Sequence, residues 1–348
     1  MQNAFKYYLG SNTEQGFKSY FYEILKEEAD ATLYVIKGGP GSGKSSLMKK
    51  LKDKFLQDGD IVETFSCSSD PDSLDGVVSL NKKIAAIDGT SPHIIEPKYP
   101  GAYEIIINTA EGFDIKMLKE NFADIKRLQN EIQTHHNKAT EYIKEAAVIR
   151  KESQKTAEKY LNKDLIFTMA QMLPIKNRFK KKGDKKTRLL SAVSVGETRF
   201  MNETVSSFGL IYAIKDQYGA AADLLIKSIE KIAEEEKESR ILCPCAIMPK
   251  KLEHIAFYDA DMIFITENSF HKYQGKNAQV LDGFYMPFSK NDLINLEKQT
   301  AMASSLIKKA EQQVIFAKEK HDELEDIYKK AMDFSILDKF YKKIINNA

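Results

Sequence analysis

The sequence predicts an α/β fold, internally duplicated, in which each copy is a parallel sheet followed by a long helical addition. Three observations carry this. Residues 34–93 align with 212–271 at a constant shift of 178 without a gap. Each aligned segment opens on an apolar strand and runs into a helix. Each copy is followed by a stretch, 113–173 and 288–348, that contains neither Gly nor Pro.

The duplication comes first because it fixes how every later motif is read. Of the 60 aligned positions 12 are identical, among them Tyr34/Tyr212, Lys37/Lys215, Gly41/Gly219, Cys67/Cys245, Leu74/Leu252 and His93/His271. Similar residues fill further pairs, such as Leu51 with Ile229 and Asp75 with Glu253. Each copy begins with a strand (LYVIK, then IYAIK) and a helix, and then offers two more strand-like runs: IVETFSC and IAAID in the first, RILCPC and DMIFIT in the second. Three good strands per half predict that the two halves share or abut one sheet.

The Gly- and Pro-free stretches read as helix. Leu118, Phe122, Ile125, Gln129, Ile132, His136, Ala139, Ile143 and Ala146 alternate steps of four and three, and Leu296, Thr300, Ala303, Ile307, Ala310, Val314, Ala317, His321, Leu324, Tyr328 and Ala331 do the same. Ala, Thr, Gln and His at several seam positions favour close hairpins or a bundle over a dedicated coiled-coil arm. The expected organisation is an active module at 1–112, a helical segment at 113–173, a basic linker at 174–188, a degenerate module at 189–287 and a C-terminal helical segment at 288–348.

Composition removes several classes of partner. In 348 residues, 52 Lys and Arg face 50 Asp and Glu, so the net charge of +2 gives no global pull toward nucleic acid or membrane. The opening MQNAFKYYLG lacks the basic start and apolar run of a signal peptide, and no run reaches the roughly 20 residues of a membrane span. A cytoplasmic chain with no membrane contact is expected. Cys67, Cys243 and Cys245 are too few for a disulfide framework and are read as reduced, small buried residues. The linker residues Lys176, Arg178, Lys180, Lys181, Lys182, Lys185, Lys186 and Arg188 are read as a solvated connection rather than a nucleic-acid contact, since only Phe179 interrupts the charges.

The chemistry lies in YVIKGGPGSGKSSLMKKL. Gly38, Gly43, Lys44 and Ser45 satisfy G-x-x-x-x-G-K-S directly after an apolar strand, which specifies a phosphate-binding loop and a P-loop NTPase-type sheet. Gly38, Gly39, Pro40, Gly41, Ser42 and Gly43 would wrap backbone amides around a phosphate, with the next helix presenting its positive end, Lys44 and Ser46. Lys44 would reach the β- and γ-phosphates, and the Ser45 hydroxyl would bind Mg²⁺. Asp88, ending the apolar run Ile84 to Ile87, is the expected second metal group, although a strand ending in Asp-Gly is also an ordinary turn. Asp70, Asp72 and Asp75 follow the second strand; Asp70 and Asp72 are the preferred candidates for orienting a nucleophile, with a helix cap or turn as the competing account. His93 is placed near the γ-phosphate or in a loop without such a role.

The second copy has lost these groups. Where the first reads GGPGSGKSS the second reads DQYGAAADL, so that Lys44 becomes Ala222, Ser45 becomes Asp223, Gly38 becomes Asp216 and Asp88 becomes Thr266. An aspartate where phosphate would lie disfavours anion binding. A pseudo-site follows.

With GGPGSGKSS, CSSDPDSLDG, IDGTSPH and PKYPGAYEII in hand, the chain resembles a family of uncharacterised ATP-binding proteins of Gram-positive bacteria built from tandem P-loop modules. The resemblance runs through essentially the whole chain and is most specific over 37–101. It implies ATP binding at the first loop; the family commonly keeps a second loop, from which DQYGAAAD departs. The expected function is a Mg²⁺-dependent ATPase with one site, against the alternatives of a small-molecule kinase or a non-hydrolysing, nucleotide-gated scaffold. A kinase for nucleotides is disfavoured because none of the six arginines falls in the first module. A protein partner or a second copy is expected, if anywhere, at the helical segments.

Overall fold

Alternating burial along the central strands determines the layering. In strand β4 (Thr32–Lys37), Leu33 and Val35 point into one core while Tyr34 and Ile36 point into another. The equivalent strand β12 (Leu210–Lys215) divides its residues the same way: Ile211 and Ala213 enter the core shared with Leu33 and Val35, whereas Tyr212 and Ile214 enter a separate one. A period of two with both faces apolar means a strand covered on both sides. The computed structural model, which describes residues 4–173 and 183–347, accordingly stacks two sheets face to face, with helices on the two outer faces.

The first sheet comprises β1 (Ala4–Tyr7), β4, β5 (Val62–Ser66), β6 (Leu74–Ser79), β7 (Ile84–Asp88) and β8 (Glu104–Asn108) in the order β1-β5-β6-β7-β4-β8. Five strands run parallel, and only β6 is antiparallel to its neighbours. A small hairpin, β2 (Gly10–Thr13) with β3 (Gly16–Ser19), follows β1. Helix α1 (Lys44–Gln57) joins β4 to β5 and buries Leu47, Met48, Leu51 and Phe55 on the outer face. Then come α2 (Ile115–Glu120), α3 (Phe122–Glu158) and α4 (Lys163–Met172).

The second half supplies β9 (Lys185–Thr187), the hairpin β10 (Ser191–Val193) and β11 (Thr198–Phe200), α5 (Asn202–Ser206), β12, α6 (Ala220–Glu235), β13 (Arg240–Pro244), β14 (Leu252–Phe257), β15 (Met262–Glu267), β16 (Ala278–Leu281), α7 (Lys290–Lys330) and α8 (Ile336–Ile345). Its sheet has the order β16-β12-β15-β14-β13-β9, again with a single antiparallel strand, β14. Even an irregularity recurs: the β5–β6 ladder shifts register after Phe65 and the β13–β14 ladder after Cys243, positions 178 apart.

The large sheet of each half therefore has six strands where the sequence showed three, and the two sheets are separate layers, not one shared sheet. The basic stretch also needs correction at its end. Lys185–Thr187 is an edge strand on β13, a position where lysines discourage further strand pairing. Arg188, expected to be solvated, is fully buried between the sheets: its Nε and Nη2 donate to Glu63 at 3.0 and 2.8 Å, and its remaining hydrogens go to the carbonyls of Glu23, Ile24 and Thr187. Lys176, Arg178, Phe179, Lys180, Lys181 and Lys182 lie outside the described residues.

Helices α3 and α7, about 55 and 60 Å long at 1.5 Å per residue, pair antiparallel. His135 Nδ1 meets Gln313 Oε1 at 2.9 Å, and these residues are themselves 178 apart. The seam is a two-helix contact, not a hairpin bundle. In α7 the predicted seam is buried or half-buried throughout, but in α3 Phe122 and Gln129 face solvent and Leu128 takes the inward place. Among the described residues no helix is long and apolar enough to cross a membrane.

Candidate phosphate-binding site

The loop between β4 and α1 owes its shape to glycine where other residues would be strained. Gly41 and Gly43 have φ of +66° and +80°, and Gly43 caps α1 in the left-handed conformation. A Cβ on Gly38 would lie 2.0 Å from the Thr109 hydroxyl, so glycine is also required there by close approach. Thr109 is fully buried and donates to the Lys37 carbonyl at 3.0 Å, with Ser42 Oγ 2.9 Å away. Ser42 in turn donates to the Gly39 carbonyl at 2.9 Å. Ser42 is thus a brace for the loop, while Pro40 is half-buried and Ser46 is exposed on the first turn of α1.

Lys44 folds back over the loop. Its ammonium donates to the carbonyls of Gly38 and Gly39 at 3.1 and 2.8 Å and lies 3.5 Å from Asp88 Oδ2. Parallel pairing of β4 with β7, in register Ile36 to Asp88, sets that carboxylate beside the loop. Asp88 also accepts from the backbone and hydroxyl of Thr90, an Asx turn that fixes its direction. Ser45 Oγ accepts the Leu74 amide at 2.9 Å. The second half repeats that contact between Asp223 and Leu252 at 3.1 Å, so it anchors the antiparallel strand in both halves whatever else Ser45 does.

The three acidic residues after β5 separate. Asp70 closes a turn on Ser73, its Oδ2 accepting from Ser73 Oγ at 2.7 Å, and its other oxygen lies 3.9 Å from Lys318 of α7. Asp72 is exposed. Asp75, the one not preferred, begins the run of buried residues in β6 and lies 3.2 Å from His93 Nε2. Burial pushes the imidazole of His93 down, but Asp75, with a further pull from Asp88, outweighs it and holds the ring above its ordinary value. The spacing of Asp75 and Glu253 before aligned histidines was the available signal for this pair. Thus Lys44, Asp88, His93 and Asp75 gather at one end of the sheet, while Asp72 does not join them.

The loop's other wall comes from the far end of the chain. Phe113 and Tyr328 rings pack 5.3 Å apart beside Gly39, and Glu325 and Lys329 of α7 lie against Gly41. Next to them an open cavity of about 730 Å³ is bounded by Phe113 and Asp114 on one side and by Met332, Ile336 and Lys339 on the other.

In the second half the corresponding loop is closed by its own carboxylate. Asp216, 2 % exposed, accepts the amides of Tyr218, Gly219 and Ala222 at 3.1, 2.8 and 2.8 Å and the Tyr285 hydroxyl at 2.7 Å. The Thr266 hydroxyl, where Asp88 would stand, donates to the Glu253 carbonyl. Glu253, His254 and His271 form a buried cluster with metal-like spacing. His254 Nδ1 accepts the Thr266 amide, however, so the proton of the neutral ring sits on Nε2, and Lys251 and Arg150 already face Glu253, each at 3.8 Å. Burial, reinforced by His271, pushes His254 down to about 3. With two cations already facing its one carboxylate, this cluster lacks the excess negative charge that would draw a metal ion. No family model, no curated protein and no solved structure matches the chain.

Proposed function

We propose that the first half binds the magnesium complex of a nucleoside triphosphate, ATP being the expected one, and hydrolyses it at a single site. The observation that carries this reading is Lys44 held 3.5 Å from Asp88 over a glycine loop that opens onto the positive end of α1. All three present partners of the ammonium are oxygen acceptors, the same chemistry a phosphate offers. The Ser45 hydroxyl and the Asp88 carboxylate each accept hydrogen bonds here, and oxygen ligands of this kind suit Mg²⁺. When bound, the ion would neutralise charge on the phosphates. Lys44 would bind and orient the terminal phosphates, and the buried Asp75–His93 pair, more than Asp70 or Asp72, would hold a proton near them.

Common strand order, a common register shift and the constant offset of 178 support a duplicated module of the P-loop type, of which the second copy is a pseudo-site filled by Asp216. The cavity beside Phe113 lies on the β8 flank of the loop, opposite Asp88 on the β7 flank, and gives a nucleoside room to leave the phosphates in that direction. Calorimetric titration of Mg·ATP into the protein and Lys44→Ala, followed by phosphate release, tests the reading. Binding lost in Lys44→Ala, and release of phosphate from ATP by the wild-type chain with water as the only acceptor, are expected. A requirement for an added acceptor would replace the ATPase by a kinase, binding without turnover would make it a scaffold, and no binding by the wild-type chain would refute the proposal.

A further inference from the structure

We infer that Glu325 is an internal anion seated on the phosphate loop, and that a triphosphate binds by displacing it together with the end of α7; the inference rests on the phosphate-loop reading above. The backbone of α7 passes so close to the loop that a Cβ on Gly41 would lie 2.8 Å from the Glu325 carbonyl and 3.3 Å from the Lys329 nitrogen. Gly39 is covered in the same way by the Tyr328 ring, at 3.0 Å. At this position burial pushes the Glu325 carboxyl up, but Lys329, 2.7 Å away, together with His321 and the Gly41 amide, holds it below its ordinary value. A carboxylate beside a phosphate-loop amide places negative charge where a phosphate oxygen would bring it.

The second half shows the same demand met differently. There the loop amides are taken by Asp216, a residue of the loop itself, buried and held by the Tyr285 hydroxyl as well. Glu325 instead comes from a remote helix, its side chain is 22 % exposed, and the residue of α3 at the same 178-residue offset is Ala147, which has no charge. One loop has an anion that cannot leave without unfolding the turn. The other has an anion on an element that can move as a body. Because α7 is continuous for 41 residues and its far end packs with α3, displacement at Gly41 would reach the second half along that pair.

The test uses the full chain with Mg·tripolyphosphate and Mg·ATP as probes. Glu325→Gln and Glu325→Ala are expected to bind both about tenfold tighter than wild type, since the competing charge-assisted contact is gone. In the unaltered protein, hydrogen exchange of the amides in 320–330 is expected to quicken on adding tripolyphosphate. Variants that melt like wild type and bind no tighter, or exchange that is unchanged or slowed by saturating tripolyphosphate, would overturn the inference. If wild type binds, Lys44→Ala does not, and the Glu325 variants equal wild type, the displacement fails while the phosphate-loop reading stands. If Lys44→Ala binds as well as wild type, both fall.

Discussion

Replacing Arg188 by Met separates the contribution of the sheet-to-sheet ion pair from that of the surrounding apolar core. In the folded protein the guanidinium makes two bonds to Glu63 and three to backbone carbonyls, and both side chains are fully buried. Met fills most of the volume but leaves a carboxylate without its counter-ion among Tyr7, Phe65 and Tyr258, with only the Tyr258 hydroxyl, 3.2 Å away, still donating. Removing one member of such a pair costs about 3–5 kcal/mol, a large part of the ~5–15 kcal/mol that holds a typical domain together. Urea unfolding followed by circular dichroism reads the loss as a lower midpoint. The double variant Arg188→Met with Glu63→Leu is expected to regain most of it, because no charge is then stranded.

The deficit also carries a pH signature. Burial by itself would raise the Glu63 carboxyl, but Arg188 holds it below its ordinary value. A depressed folded value means that the pair's stabilisation is present above the unfolded carboxylate range and lost as pH falls through the folded value. In Arg188→Met burial is opposed only by Lys186 and the Tyr258 hydroxyl, so the carboxyl moves up and the deficit shrinks as pH falls through that raised value. A single variant that costs under about 1 kcal/mol at neutral pH, or a deficit independent of pH, would refute the reasoning.

Three further outcomes are expected. Asp216→Asn puts an amide donor against the donors of the second loop and should lower stability by about 1–3 kcal/mol, read as a drop in melting temperature, without creating a nucleotide site there. Gly43→Ala forces a side chain into φ +80° and to within 2.5 Å of Leu337, so calorimetry should show loss of triphosphate binding and thermal melting a destabilisation of about 1–2 kcal/mol or more. In Asp75→Asn the imidazole of His93 should titrate below its ordinary value, because burial then acts without the carboxylate; an NMR titration reads this directly. Since the raised His93 value favours the folded state below the ordinary imidazole range and fades as pH rises through it, that variant should also lose the corresponding gain in stability at mildly acid pH.

The loop and its lysine were legible because glycine spacing, strand and helix are local and each is dictated by sterics. So were β4, β7, β12 and β15, whose runs are apolar on both faces. The antiparallel β6 was not: LDGVVS opens with an Asp-Gly pair that reads as a turn, and its strand character comes from pairing with β5 and β7. Strands β1 and β9 are short edges, four and three residues long, whose conformation is set by one neighbour each. Within the site, Asp88 was legible as a strand end, but the choice among Asp70, Asp72 and Asp75 depended on β6 turning Asp75 inward toward His93. Nothing near residue 41 announces Glu325. A contact across more than 280 positions is decided by how α7 returns to the first half.

That return has a counterpart. Helix α4, at the end of the first half's helical segment, seats Ile166 and Ala170 in the core of the second half's α6, while α8, at the end of the second, seats Phe340 and Ile344 beneath α1 of the first. Each half thus finishes the other's outer layer, an exchange of arms that two separate chains would make by domain swapping and that one chain makes with itself. Severing the chain within 174–182 would divide the molecule into two pieces, each exposing an apolar groove shaped for the other's last helix, so the connection is what allows reciprocal docking to proceed at intramolecular concentration.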